Sequence, residues 1–294
     1  MSAVEPSVAI APRRRGLRSR SLRHNRAGPV TYAVLIVTAI LSLLPLYWTV
    51  VAASRSNADI AKTPPPFTPG GNLISNIRKA LDQVDMWQAL LNSLIVSTSI
   101  ALGTVFFCTL AGFAFAKLKF RGSSVLLVIV LATMMVPAQL GVIPLFMLIA
   151  KLHWVNHLQA VILPTLVSAF GVVFMRQYLI NALPNELLEA AVIDGASSFT
   201  IFRKVVIPAA RPAMAVLGML TFLMAWNDFF WPIIALTTQN PTVQVALNSL
   251  GNGYVPDHSV ILAGTLVGTV PVLIVFALLG KQIVGGIMEG AVKG

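Results

Sequence analysis

The chain has 294 residues, of which 56 % are apolar and only 11 % charged, and its mean hydropathy is +0.82. Soluble domains carry roughly 25 % charged residues, so this composition excludes an ordinary soluble enzyme and indicates an integral membrane protein. The formal charge of +11 does not mark a nucleic-acid groove, because the basic residues lie between apolar segments in alternating loops.

Residues 1–28 are rich in Arg, Pro and Ser without an apolar period, which predicts a disordered basic tail. Seven of the 21 Lys and Arg fall there, between Arg13 and Arg26. Arg13-Arg14-Arg15 ahead of an apolar run has the form of a signal-peptide start. The run that follows, Val30 to Ala53, is 24 uncharged residues. That is too long for a signal core and long enough to span, so a retained first helix is the reading taken.

Further runs, charge-free but for Asp228 in the fourth of them, cover Met86–Ala116, Gly122–Ala150, Leu152–Met175, Pro212 to about Leu236, and His258–Gly280. Each can cross a bilayer at about 20 residues per crossing. The second and third spans are overlong, which calls for tilt or a break. Pro137 and Pro144 are expected to break the third, with Gly141 between them. Two readings fit that break: a cavity lined by irregular backbone, or a kink without a functional role. Cys108, the single cysteine, lies inside the second span and reads as a buried thiol.

With these spans, one side of the membrane carries 16 Lys and Arg and the other five. The positive-inside rule then gives six spans with both termini in the cytoplasm. The first external loop, Ser54 to Asp85, contains Thr63-Pro64-Pro65-Pro66 and Pro69-Gly70-Gly71, which are turn and extended signals. The last, Thr237 to Asp257, has 21 residues without one Lys or Arg. It is turn-rich, with Asn240-Pro241 and Gly251-Asn252-Gly253, and serves either an external partner or a passive connection.

Between the fourth and fifth spans lies an amphipathic loop, residues 181–210. Pro184 suits a helix start, and Glu186 and Glu189 oppose the positive helix end. Leu187, Leu188, Ala191 and Val192 recur at helical spacing, and Gly195 supplies a left-handed stop. Ser197 or Ser198 caps a second short helix over Phe199, Ile201, Phe202 and Val205, which Pro208 is expected to end. The prediction is helix, glycine turn, helix, outside the bilayer.

This loop resembles the EAA loop of ABC-transporter permeases: Glu189, Ala190, Ala191, Gly195 and Pro208 match at the family spacing, while Val205 and Ile207 replace the usual Ile and Leu. The resemblance runs from about residue 30 to the C-terminus and is to carbohydrate permeases of the maltose-transporter type. Ala111-Gly112-Phe113-Ala114-Phe115-Ala116-Lys117 with Phe120-Arg121-Gly122 carries it. So do Met135-Val136-Pro137-Ala138-Gln139 with Ile143-Pro144-Leu145, Trp226-Asn227-Asp228-Phe229 before Trp231-Pro232, and the ending Gly290-Ala291-Val292-Lys293-Gly294.

The resemblance implies an all-α permease domain over residues 29–294, with six transmembrane helices and a cytoplasmic coupling-helix loop. It implies that Glu189, Ala190, Ala191, Asp194, Gly195 and Pro208 couple the chain to a separate ATPase; Gln139, Trp226, Asn227 and Asp228 are the candidate residues for a substrate pathway. The implied partners are a second permease, two ATP-binding-cassette subunits, an extracytoplasmic solute-binding protein, membrane lipid and a sugar substrate, in the inner membrane. ATP and Mg would be used by the ATPase, with no cofactor on this chain.

The residues themselves agree with a non-catalytic role. No Gly-x-x-x-x-Gly-Lys-Ser/Thr run exists, since Gly280-Lys281 has Val275 where the first glycine belongs. His153 and His157 would share a helix face, but no glutamate follows the first and no third metal ligand lies nearby. Asp228 is the one acid inside an apolar segment. Either it faces the bundle or water, with Trp226, Asn227 and Trp231 beside a sugar, or it sits at the outer interface with both tryptophans as belt residues. Gly264 and Gly268 form a small-xxx-small pattern that permits close helix packing. A permease for another solute, such as glycerol phosphate, keeps every coupling feature. An autonomous secondary carrier would need ion-coupling residues beyond Asp228.

Overall fold

The computed structural model describes residues 28–252 and 255–291, and every regular element among them is helical. The basic tail expected over residues 1–28 lies outside these residues but for Gly28, as does the very end of the chain. Two units divide the chain between Leu46 and Tyr47. The first ends inside α1 (Pro29–Ala53), whose uncharged sequence leaves its side chains from Val30 to Leu46 exposed. At 1.5 Å per residue α1 is about 37 Å long, enough to cross a bilayer.

Among the described residues four helices are long and apolar enough to cross: Pro29–Ala53, Met86–Lys117, Ser198–Asn227 and His258–Leu278. Two more crossings are bent pairs. Ser123–Thr133 and Ala138–Lys151 meet at 92°, and Gln159–Thr165 and Ala169–Ala182 at 42°. With each pair taken as one span, these are the six expected from composition.

In the second unit the first loop is more helical than its Pro and Gly content predicts, holding α2 (Asn57–Ile60) and α3 (Leu73–Gln83). Asn76 of α3 donates from its side-chain amide to the carbonyls of Ala53 and Arg55, each at 2.8 Å, and so caps the end of α1. Lys62 and Asp59 form the one ion pair among the described residues, at 2.6 Å. That ammonium, with help from the Ser56 hydroxyl, holds the Asp59 carboxyl down at about 2.

The centre of this unit is α4 (Met86–Lys117), capped by Asp85, which accepts from the Gln88 amide at 3.0 Å. It packs chiefly against α8 (Ala169–Ala182), which follows the one-turn α7 (Gln159–Ile162), and against α11 (Ile207–Asn227). Two glycines let α4 and α8 approach. A Cβ on Gly112 would lie 2.8 Å from Met175 Cβ and from the Arg176 backbone nitrogen, and one on Gly171 would lie 2.7 Å from Cys108 Sγ. Cys108, Phe113, Met175, Leu179, Phe202 and Leu217 fill the core between the three helices. Cys108 is buried, as its sequence setting implies.

Three local expectations are corrected. Pro137 makes the break after α5 (Ser123–Thr133), but Pro144 does not, because it sits in the first turn of α6 (Val142–Lys151). A missing amide proton is harmless there. Pro208 does not end the second short helix. From α10 (Ser198–Ile201) a wide turn over Phe202–Val206, with Ile207 N donating to Phe202 O, carries the helix straight into α11. The wide turn makes room for a proline ring that would strike the preceding turn of an ordinary α-helix. The last loop, finally, contains α13 (Val243–Leu250), and α12 (Phe230–Ala235) lies just before it, at the end of the run expected as the fifth span.

α13 is seated on α14 (His258–Ala291) through the two small residues there. A Cβ on Gly264 would lie 2.9 Å from Leu250, and one on Gly268 2.7 Å from Val243. The small-xxx-small pattern thus receives a helix of this same chain. A polar chain holds the segment before α13: Asn92 Nδ2 donates to Asn240 Oδ1 at 2.8 Å and to Pro241 O at 2.9 Å, and Asn240 Nδ2 to Asn156 O at 3.1 Å. His153 and Asn156 have φ of 57° and 62° in the turn after α6, so His153 and His157 do not share a helix face.

Prediction: Gly112→Val should overpack the α4–α8 crossing and lower stability by about 1–3 kcal/mol. Gly141→Ala, which meets open space, should not. Heating followed by size-exclusion chromatography in detergent measures both. Equal survival of the two variants would show that the crossing can spread without loss.

Candidate functional site

The loop between α8 and α11 folds as its sequence predicts at its centre. Pro184, with φ −60° and ψ 144°, leads into α9 (Asn185–Ile193), and Glu186 lies in the first turn. The helix closes on Gly195 at φ +77°. The Gly195 amide donates to Val192 O at 3.0 Å and the Ala196 amide to Ala191 O at 2.9 Å. These two bonds are the Schellman pair that satisfies a helix's last carbonyls. A Cβ on Gly195 would meet nothing, so glycine is needed there for its backbone angle alone. Ser197 then caps α10, its hydroxyl accepting from the Thr200 amide at 3.3 Å.

The two faces of α9 have separate destinations. Leu188 and Ala191 pack onto the α4–α8–α11 core. Val192, Ile193 and Phe199 are 62 %, 85 % and 69 % exposed and give the loop an apolar outer surface. Glu189 and Ala190 are exposed as well. Glu189 lines a hollow of about 480 Å³ with Lys117, Phe113, Val192 and Ile201. Asp194 lines a second, with Gly195, Ser197 and Lys204. Pro208 lies apart from both, in the first turn of α11.

Lys117, at the end of α4, fastens the loop. Its ammonium donates to Asn185 Oδ1 at 3.0 Å and reaches Ile180 O at 3.5 Å near the end of α8. One cation therefore joins the close of α4, the close of α8 and the start of α9. The sequence marks Lys117 as a basic residue after a span and as the end of a motif shared with carbohydrate permeases; its role as a clamp comes from the fold.

A second candidate region lies within the spans. A cavity of about 380 Å³ is lined by Thr104 of α4, Thr165 and Ser168 at the break in the fourth span, and Thr221, Met224 and Asp228 at the end of α11. Asp228 Oδ1 accepts from the Phe230 amide at 3.1 Å. Of the four pathway residues read from sequence, the structure brings only Asp228 to this cavity. Trp226 is 2 % exposed, stacks on Phe222 and donates its indole N–H to Gly268 O at 3.2 Å. It is a core residue, and so is Trp231, whose indole donates to Ala160 O at 2.9 Å; neither is a belt residue. Asn227 turns back on its own helix, donating to Leu223 O at 2.8 Å. Gln139 is exposed in the short 3₁₀ turn Ala138–Gly141. Thr104, Thr165, Ser168 and Thr221 were not legible as lining residues, since a hydroxyl in an apolar run also satisfies itself on a nearby carbonyl. Among the described residues no cluster of His, Cys, Asp or Glu could hold a metal ion.

Comparison with known proteins matches residues 108–284 to a family described as binding-protein-dependent transport system inner membrane component. The match includes the whole 181–210 loop. The lactose transport system permease protein of Rhizobium radiobacter is 32 % identical, over 93 % of this chain and 99 % of its own. The sn-glycerol-3-phosphate transport system permease protein of Salmonella typhimurium is 31 % identical, over 86 % and 94 %. The fold is similar, with a TM-score of 0.73 at 24 % identity, to a chain in the crystal structure of a bacterial ABC transporter involved in the import of the acidic polysaccharide alginate. The overlap covers 88 % of this chain and 97 % of that one.

Prediction: Lys117→Ala should speed amide hydrogen exchange across residues 185–196 by about fivefold, the equivalent of about 1 kcal/mol for a lost charge-assisted bond. Exchange mass spectrometry reads it. Unchanged protection would mean that the apolar contacts of Leu188 and Ala191 hold the loop alone.

Proposed function

The chain belongs to the family of binding-protein-dependent transport system inner membrane components, and on that premise we propose that it is a permease subunit of an ATP-driven carbohydrate importer. The family is one of transport permeases, not enzymes. Its solute arrives on a binding protein, so the chain is one part of an assembly. In the proposed assembly it pairs with a second permease, two ATPase subunits and an extracytoplasmic binding protein, and ATP and Mg are bound by the ATPases. Both termini face the cytoplasm, where the 16 basic residues on one side of the spans would lie.

The observation that carries this reading is α9 itself. It is a short helix closed by a Schellman turn at the family's glycine, clamped to α4 by Lys117, with Val192, Ile193 and Phe199 directed outward. Exposed apolar side chains on a loop between spans need a partner surface. An ATPase cleft fits them, with Glu189 at the rim. Closure of the ATPase pair would draw the two coupling helices together, and the bodies they are fastened to would rock between inward and outward access. The carbohydrate class rests on the lactose relative and on the sugar-permease motifs. The glycerol phosphate relative keeps a second solute class in view.

Prediction: affinity purification from native membranes in mild detergent should recover an ATPase with the chain. Glu189→Lys and Gly195→Pro should reduce that recovery about tenfold or more while the chain stays inserted. Proline fixes φ near −65° and removes the amide that bonds to Val192 O. Uptake should need ATP and survive proton and sodium uncouplers. Recovery of the chain alone, or full uptake by Gly195→Pro, would overturn the assignment.

A further inference from the structure

The cavity at the end of α11 lies where two helices are interrupted. One interruption is the bend between Gln159–Thr165 and Ala169–Ala182; the other is the stop at Asp228 between α11 and α12. Irregular backbone within a bilayer persists only where protein or a water-filled cavity satisfies it. Helix interruptions facing one cavity are therefore evidence that the space holds water or solute. Met224 on its wall is 74 % exposed, so the cavity is open on this chain.

The wall has hydroxyls and a single charge. Thr165 spends its proton on Val161 O at 2.9 Å or Ile162 O at 3.0 Å, and Ser168 accepts from the Gly171 amide at 2.9 Å. Asp228 is the one ionisable residue among the described lining residues, which include no Lys, Arg or His. The nearest basic residue along α8 is Arg176, eight positions beyond Ser168, and along α11 it is Arg211, 17 positions before Asp228. At 1.5 Å per residue those are about 12 Å along the helix from Ser168 and about 25 Å along the helix from Asp228. No basic residue of either helix lines the cavity beside the carboxylate.

We propose that Asp228 acts as a charge filter, so that this chain's wall of the pathway admits neutral or cationic polyhydroxylated solutes and rejects those bearing phosphate or carboxylate. The inference rests on the permease reading above and narrows it, favouring sugar over glycerol phosphate. An unbalanced charge in a low-dielectric cleft concentrates ions of opposite sign and depletes those of its own, by about tenfold or more. Hydroxyl-bearing solutes without net charge escape that penalty and find an acceptor in the carboxylate.

The test reads the charge preference directly and needs no knowledge of the cargo. Thr221→Cys, and separately Met224→Cys, are placed in the chain within its complete transporter in native membranes. Each is reacted with the cationic 2-(trimethylammonium)ethyl and the anionic 2-sulfonatoethyl methanethiosulfonates. The buried Cys108 of the otherwise unaltered chain supplies the background. The cationic reagent should react about tenfold faster, relative to the ratio on a free thiol. Asp228→Asn should bring the ratio back to the free-thiol value, and Asp228→Lys should invert it. A ratio that ignores Asp228, or no reaction at either cysteine although the denatured chain reacts, overturns the proposal. Loss of the ratio effect with the ATPase still recovered sinks the filter alone; failure to recover the ATPase sinks the permease reading instead.

Discussion

The close approach of α4 and α8 constrains the rest of the second unit. Without side chains at Gly112 and Gly171 the two helices come near enough that Met175 and the Arg176 backbone would contact an added methyl. That proximity puts the end of α4 beside the end of α8, so one lysine can bond to both α8 and α9. Interfaces of this kind depend on van der Waals packing, because lipid offers no hydrophobic drive between apolar helices. A larger residue at Gly112 would therefore disturb the loop about a helical turn away as well as the core.

The other end of the same helix is organised by hydrogen bonds. Asn92 of α4 reaches Asn240 and Pro241, and Ser93 accepts from the Val243 amide at 2.8 Å. These bonds fix the entry to α13, which then lies in the groove that Gly264 and Gly268 leave open on α14. Trp226 closes the arrangement by bonding to the carbonyl of Gly268. One helix thus presents a glycine-cut surface to α8 and an amide-bearing surface to the last loop.

Long charge-free runs made the spans legible, because only a bilayer tolerates so many apolar residues without a partner pattern. The turn at Gly195 was legible because a left-handed residue after a helix calls for glycine. The short helices α3 and α13 were not, since Pro and Gly nearby dominate local signals and their helical spacing lasts only about three turns and two. Pro208 misled for a different reason: whether a proline ends a helix depends on whether the turn before it can widen, and that is decided by tertiary packing. Trp226 and Asp228 are neighbours in sequence, yet two residues on a helix are about 200° apart in direction. A motif that names both says nothing about which of them faces the core.

The loop and the cavity share their helices. α4 carries Lys117 at one site and Thr104 at the other, 13 residues apart, or about 20 Å along the axis. α11 continues from the wide turn beside α10 to Asp228. On the proposed reading, a push on α9 is delivered to α4 through Lys117 and to α11 through the continuous helix that Pro208 does not interrupt. Had Pro208 ended that helix, the loop would hang from α11 on a flexible joint and motion would be lost there. The wide turn at Phe202–Val206 keeps the connection stiff while accommodating the proline, and Phe202, packed on Phe113 with ring centres 6.0 Å apart, ties it to α4. Coupling by this route requires no residue at the cavity to touch the ATPase; it requires only that the two shared helices move as rods.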